Sequence, residues 1–385
     1  MNVSLLLIVG LLLLLGLATD YIGRVTSLPR VTLLLLFGVL LGGDAAGLIP
    51  VSIQTAFPLI TDTALLLVGF LLGGKLSFEE LRATGKAVFW LSSSAVIVTL
   101  AVVFFGLWLC GVPWALALLL AGIATATDPV ATLDVVRQSG SNSPFSRTLL
   151  AIVAIDDAWG LIVFSLILSV ASLAIGESDY SQTLYHAFYE LGGSVTLGVL
   201  LGMPMAYLTG RIKPGEPTLV EALGLVFVCG GLAEYFQVSF LLSAMILGAT
   251  VSNLATHHER PFHAIEDIEW PFMILFFVLT GASLEFNAVT DVLVITIGYI
   301  ILRTVGRALS SYPGGILARS SPFTKRWMGL TLLPQAGVAS GMALLAGQSF
   351  PQWQSSLLSI TILSTIMFEI GGPLLTRKIL IKDRS

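Results

Sequence analysis

Ala154-Ile155-Asp156-Asp157-Ala158-Trp159 places two adjacent carboxylates inside an apolar segment covering residues 149–175. A helix crosses a bilayer with about 20 apolar residues, so this segment is long enough to span. An ionised carboxylate at mid-bilayer costs roughly 3 kcal/mol or more. Two side by side are retained only where they face water, a counter-charge or a bound cation. The reading of the chain therefore turns on what Asp156 and Asp157 hold.

Composition places the rest of the chain around them. Its 385 residues are 56% hydrophobic and 11% charged, with a mean hydropathy of +0.93. Soluble domains carry about 25% charged residues, so this is an all-α integral membrane protein. The apolar runs continue to the C-terminus, leaving no room for a separate soluble domain, and a net charge of −4 gives no reason to expect a nucleic-acid partner. No Lys or Arg precedes the first apolar run, which is therefore expected to be the first span rather than a cleaved leader. Cys110 and Cys229 fall in apolar runs and read as small buried hydrophobes. The group His257-His258…His263 reads as a solvated loop face rather than a metal site.

Apolar runs set against charged or Pro/Gly punctuation give thirteen expected spans. They cover residues 3–18, 28–41, 53–73, 87–110, 113–136, 149–175, 187–208, 219–236, 239–253, 268–284, 288–310, 327–346 and 357–375. Charge supports this division. All but two of the 19 Lys and Arg residues lie in loops following odd-numbered spans. Loops after even-numbered spans hold acids instead, Asp44, Glu177, Asp179, Glu285 and Asp291. The positive-inside rule then puts the N-terminus outside and the C-terminus in the cytoplasm of a plasma or inner membrane. The two remaining bases, Arg303 and Arg307, lie within the eleventh span.

The chain also echoes itself. Residues 67–78 (LVGFLLGGKLSF) align with 275–286 (LFFVLTGASLEF) at an offset of 208, and Leu35-Leu36…Leu41-Gly42 matches Leu241-Leu242…Leu247-Gly248 at 206. With thirteen spans, such an offset makes two six-span repeats of opposite orientation, 1–175 and 217–385, joined by a linker helix within 176–216. Inverted repeats with interrupted helices at the midplane are the architecture of secondary transporters.

The fifth span carries Thr127-Asp128-Pro129, where proline removes a backbone donor and a break near Thr127 is expected. Asp128 can cap the second half-helix and add its field to a cation site. The twelfth span has a matching interruption, Leu333-Pro334-Gln335-Ala336-Gly337. Counting from Arg137 and Arg147, Asp128 and Asp157 each lie roughly 14 Å from the cytoplasmic face. Adjacent helical residues diverge by about 100°, so Asp156 and Asp157 divide the work. One meets the cation and the proton; the other pairs with a buried base, for which Arg303 is the natural choice and Arg307 is expected nearer the interface. A desolvated carboxylate without a permanent partner can exchange a proton for a cation, which is the chemistry of an antiporter. Asp62, Glu221, Glu234 and Glu369 read as paired or hydrated near helix ends, with Asp62 and Glu369 the deepest.

These motifs resemble the monovalent cation/proton antiporter superfamily, specifically its second family of NapA-like and Kef-related proteins. The resemblance rests on Thr127-Asp128-Pro129, Asp156-Asp157, residues 333–343 (LPQAGVASGMA) and residues 70–81 (FLLGGKLSFEEL). It implies two inverted six-helix repeats with crossed discontinuous helices, a core and a dimerisation domain, hence a homodimer, and elevator-type alternating access. It implies Asp157 as the cation-binding aspartate and Asp156 as its ion-paired neighbour, these two meeting the metal cation. Thr127 and Asp128 complete the cation/proton-binding group from the broken helices. Na+, Li+ or K+ and H+ are then substrates, and no cofactor is expected. Relatives with paired aspartates that move net charge usually have lysine where this chain has Arg303. The Kef-type soluble nucleotide domain has no counterpart here. An intramembrane aspartyl protease using Asp128 and Asp157, and a passive cation channel, are the alternatives. The protease's Tyr-Asp and Gly-Leu-Gly-Asp motifs are missing, and a channel leaves buried titratable acids without a role.

Overall fold

A computed structural model describes residues 5–26, 30–42, 47, 49, 51–74, 76, 85–171, 180–209, 218–255, 259–284, 286–335 and 337–384. Every described segment is helical or a short connection, as expected where lipid offers no partner for a free backbone amide. The α-helices are α1 (Leu5–Thr26), α2 (Arg30–Leu41), α3 (Val51–Gly74), α4 (Gly85–Leu109), α5 (Trp114–Ile123), α6 (Pro129–Ser139), α7 (Pro144–Ala171) and α8 (Tyr180–Thr209). They continue as α9 (Thr218–Tyr235), α10 (Phe240–Leu254), α11 (Glu259–Ala282), α12 (Phe286–Leu317), α13 (Pro322–Trp327), α14 (Gly337–Ser349) and α15 (Gln354–Arg384). Short 3-10 turns at Gly329–Leu332 and Pro351–Trp353 precede α14 and α15.

Within the described residues each expected apolar stretch falls on a helix, the fifth and twelfth on interrupted ones, while residues 3–4, 28–29 and 172–175 of the first, second and sixth lie outside them. The larger boundary differences run one way: α1, α11, α12 and α15 all run past the apolar stretch into polar residues. Hydropathy marks where a chain leaves an apolar solvent, whereas a helix ends only where its hydrogen bonds do. Among the described residues, windows apolar enough to cross a membrane occur in α3, α4, α8, α12 and α15. Ends are set locally. Ser239 caps α10 by accepting from Leu242 N–H, and Ser321 caps α13 with Pro322 in its first turn. Gly140, at φ +58°, stops α6 in the left-handed conformation that glycine adopts without strain.

The chain forms two compact units. The first comprises Met1–Phe57, Thr84–Gly160 and Ile274–Ser385. Its core joins Leu91, Ala95, Leu149, Ile152, Met328 and Leu332, with α4 packed along α12. The second comprises Pro58–Ala83 and Leu161–Met273, with a core of Leu66, Phe70, Val226, Leu247 and Ile265 and with α8 along α10.

Backbone contacts through glycine recur in both units. In the first, a Cβ at Gly38 would overlap the Val278 carbonyl and one at Gly281 the Leu35 carbonyl, so α2 and α11 cross in backbone contact. In the second, Gly248 stands against the Phe70 carbonyl and Gly73 against that of Met245, so α3 and α10 do the same. Gly281 and Gly73 are counterparts at the offset of 208, as are Gly314 and Gly106 on α12 and α4. Gly106 is pressed by Leu302, whereas a Cβ on Gly314 would come within 2.8 Å of Ser94. Close approach at small residues is how helices pack where hydrophobicity gives no drive.

Three expectations meet the surface. Cys229 is buried, but Cys110 is exposed, because α4 ends beside it and Gly111 turns the chain at φ +87°. His263 is exposed and paired with Glu266 at 3.3 Å, while His257 and His258 lie outside the described residues. Of the echo, Lys75, Ser77, Phe78 and Glu285 also lie outside them.

Candidate functional site

The site belongs to the first unit and begins with α5. Leu120 and Ile123 close its last turn, after which Thr125 N–H bonds Gly122 O and Ala126 N–H bonds Ile123 O. These tighter bonds unwind the helix ahead of Pro129, which has no N–H to continue it. The carbonyls of residues 124–126 are thereby released where the chain is fully buried, and two arginines take them up. Arg303 donates from Nε to Ala124 O (3.0 Å), from Nη2 to Ala126 O (2.8 Å) and from Nη1 to Leu333 O (2.7 Å). Arg307 donates from Nη2 to Thr125 O, and from Nη1 to Asp156 Oδ2 at 3.0 Å. Both guanidinium groups are fully buried. Positive charge thus sits at the carbonyl end of the first half-helix, where the helix dipole favours it.

The second interruption meets the first. Pro334 lies between the 3-10 turn and α14, and its carbonyl accepts from Asp128 N–H at 3.0 Å. Gln335 Nε2 donates to Ile123 O and to the buried Tyr299 hydroxyl, each at 3.3 Å. Asp128, 7% exposed, precedes Pro129 at the amide end of α6, and Thr127 donates its hydroxyl to the Asp156 carboxylate.

The expected pairing needs one correction. The sequence points to Arg303 as the base that holds Asp156, with Arg307 nearer the interface; the ion pair is made by Arg307, and Arg303 spends its donors on three carbonyls. The two lie one helical turn apart, and residue depth alone does not tell which faces α7 and which faces the break. Asp156 Oδ1 has no hydrogen-bond partner among the described residues. Asp157 follows on α7, but its side chain lies outside what is described. Among the described residues no cluster of three His, Cys, Asp or Glu forms a metal-type site.

Glu369 on α15 stands out in the sequence only as a deep acid. It is 1% exposed and faces Asp128. Its signal is legible in part: a glutamate eight residues before the next charged residue in an apolar run is anomalous, but nothing in its spacing points to span five. The neighbouring Phe368 ring lies 4.3 Å from the Arg303 guanidinium.

Interrupted helices meeting at buried acids and arginines, in an all-helical membrane fold, define a secondary transporter. The comparisons agree with that class. The family model described as sodium/hydrogen exchanger, transmembrane, matches residues 9–382, and the chain belongs to that family. It is 22% identical to the ammonium/H+ antiporter subunit AmhT of Alkalihalophilus pseudofirmus, covering 87% of this chain and 82% of that one. It is 26% identical to the glutathione-regulated potassium-efflux protein KefC of Salmonella heidelberg over 94% of its own length, spanning 60% of KefC. In fold it matches the sodium proton antiporter MjNhaP1 of Methanocaldococcus jannaschii at pH 8, with a TM-score of 0.76, 20% identity and 97% of each chain covered. These relatives are ion transporters, AmhT and MjNhaP1 antiporters by name, and not enzymes, which removes the protease alternative, and their ions are substrates rather than cofactors.

Proposed function

We propose that this chain exchanges a monovalent cation, Na+, Li+ or K+, for H+ at a site built on Asp157 and Asp156, by elevator-type alternating access. The observation that carries the reading is the buried Asp156, held on one oxygen by Arg307 while the other has no hydrogen-bond partner among the described residues. Asp156 stays paired with Arg307, a permanent cation. Asp157, one residue on, is the acid that trades proton for cation, with Asp128 and Thr127 shaping the field at the break. Thirteen spans in two inverted six-helix repeats, 1–175 and 217–385 around a linker helix in 176–216, fit the paired glycine crossings and the two interruptions. A homodimer with an outside N-terminus and a cytoplasmic C-terminus fits the family and the basic loops. The similarity to AmhT adds ammonium to the ions worth testing.

The test uses the purified chain in proteoliposomes with an imposed pH gradient. Addition of Na+, Li+, K+ or ammonium dissipates the gradient, and Asp157→Asn abolishes the response while the protein still purifies as a folded species. No response to any of the four ions sinks the antiporter reading. Full activity in the variant moves the exchanging acid elsewhere.

A further inference from the structure

The hairpin of α14 and α15, within the first unit, holds three buried hydroxyls that neither helix uses. The two helices pack along each other, and two close contacts fix how they face. A Cβ at Gly347 would stand 2.9 Å from Gln354 Cγ, and one at Gly372 would stand 2.7 Å from Pro334 N. Gln354 and Gly372 lie five turns apart on α15 at about 3.6 residues per turn, so both point the same way, towards α14 and the second break. Thr361 and Thr365 fall within about 20° of that direction. On α14, Ser340 lies about two turns before Gly347 and so faces α15. Counted from the contact of Gly347 with Gln354, Ser340 stands opposite Thr361. One turn beyond Thr365, α15 carries the buried Glu369.

Other helical hydroxyls in this unit fold back onto their own helix. Thr296 donates to Val292 O at 2.9 Å, Thr304 to Ile300 O at 2.7 Å and, on α15 itself, Ser364 to Thr361 O at 3.0 Å. Ser340 Oγ, Thr361 Oγ1 and Thr365 Oγ1 are at most 1% exposed and have no hydrogen-bond partner among the described residues. Each forgoes a bond worth about 1 kcal/mol. At the break end, both amide hydrogens of Gln335 are used, on Ile123 O and on the Tyr299 hydroxyl. Ile123 O can only accept, which fixes the orientation of the amide and leaves Gln335 Oε1 without a partner. Four uncharged oxygens along one seam suit water, which accepts from one and donates to the next and needs about 2–4 such partners when buried. Ser340 lies in the first turn of α14, where the helix dipole disfavours a resting cation.

We propose that the α14–α15 seam is a water-bearing lane that delivers the transported proton to the second break. Delivery rests on the exchange reading above; hydration of the seam does not. A proton entering the lane is taken up by one oxygen as that oxygen passes its own proton on, so every hydroxyl and water is left as it was. Leu344 and Leu358, each 4% exposed, form the apolar turn between the lane and the exposed Gln354 at the hairpin end.

The experiment reads hydration with Ag+, a small cation that binds thiolate, on the full chain carrying Cys110→Ser and Cys229→Ala. Thr361→Cys, Thr365→Cys and Ile360→Cys are introduced singly, and reaction is read as loss of titratable thiol after unfolding, which requires no transport. Ile360 is fully buried and lies about 120° round α15 from the seam. Thr361→Cys and Thr365→Cys are expected to lose their thiol to Ag+ and Ile360→Cys to keep it. Seam cysteines as inert as Ile360→Cys overturn the lane. In proteoliposomes, Thr361→Val/Thr365→Val is expected to lose most of the exchange rate, and Thr361→Ser/Thr365→Ser to retain it. A valine pair that exchanges at the wild-type rate overturns delivery, because an idle seam loses nothing with its hydroxyls. Thr365→Val alone makes the same test should the pair fail to fold. Reactive seam cysteines in a chain with no proton flux to Na+, Li+, K+ or ammonium overturn the exchange reading, and delivery with it, and leave the hydrated seam standing.

Discussion

Arg307 Nη1 donates to Asp156 Oδ2 across 3.0 Å with both side chains fully buried. Removing one partner of such a pair strands the other charge, at about 3–5 kcal/mol, whereas replacing both can be nearly neutral. Arg307→Met is therefore expected to lower the unfolding midpoint of the detergent-solubilised protein sharply. The double variant Arg307→Met/Asp156→Asn is expected to recover much of that loss, because no uncompensated charge remains. Thermal unfolding of the wild type, two single variants and the double measures the coupling. A double variant that is less stable than Arg307→Met alone contradicts the stranded-charge account.

Arg303 is not interchangeable with lysine in this position. Its planar fork reaches three carbonyls, Ala124, Ala126 and Leu333, and so ties the first interruption to the second. An ammonium on a flexible stem cannot point at all three. Leaving even one released carbonyl unmade costs about 1–3 kcal/mol. Arg303→Lys is expected to lower both stability and the maximal exchange rate, and Arg303→Leu to lower them further. Unfolding midpoints beside initial rates of gradient dissipation check this; a lysine variant equal to the wild type in both would show that the clamp is dispensable.

Why so much of this is legible in sequence, and where sequence fails, follows from the physics. Lipid leaves a spanning segment little choice but helix, so apolar runs go far towards locating the helices. Proline acts on its own backbone, so the breaks at Pro129 and Pro334 are visible too. Partner choice is not. Arg303 and Arg307 lie at equal chemical value one turn apart on α12, and which of them meets Asp156 depends on how α12 is rotated against α5 and α7. The contact of Glu369 with Asp128 is hidden for the same reason, since it joins residues far apart in the chain through the position of α15. The exposure of Cys110 escapes because an apolar run does not reveal where its helix stops.

Thr127 illustrates a side chain whose role is reached through another. Its hydroxyl donates to Asp156, and the residue itself is 1% exposed. Hydrogen bonds to charged groups are worth about 1.5–3 kcal/mol, and about 1.4 kcal/mol is tenfold in affinity. Thr127→Val keeps the volume and removes the donor, so the half-saturating cation concentration is expected to rise about tenfold or more. Thr127→Ser is expected to restore most of the affinity. Concentration dependence of cation-driven gradient dissipation separates the two; equal values for valine and serine variants would place the hydroxyl outside the binding step.

The paired glycine crossings make a prediction about scaffold rather than site. Gly38 meets the Val278 carbonyl in the first unit and Gly248 meets the Phe70 carbonyl in the second, and in both the obstacle is backbone that cannot rotate away. A methyl there must push two helices apart, and overpacking typically costs about 1–3 kcal/mol. A methyl on Gly10 would meet nothing within 4 Å, so Gly10→Ala isolates the propensity gain that alanine gives in a helix. Gly38→Ala and Gly248→Ala are each expected to lower the unfolding midpoint, by similar amounts because the contacts are counterparts, while Gly10→Ala leaves it level or raises it. None of the three touches Asp156, Arg307 or Thr127, so the cation concentration for half-maximal exchange is expected to stay put in those that fold. Unequal losses at Gly38 and Gly248 would mean that the two crossings, alike in geometry, do not carry equal load, and the repeat would then describe the chain's layout without describing its energetics.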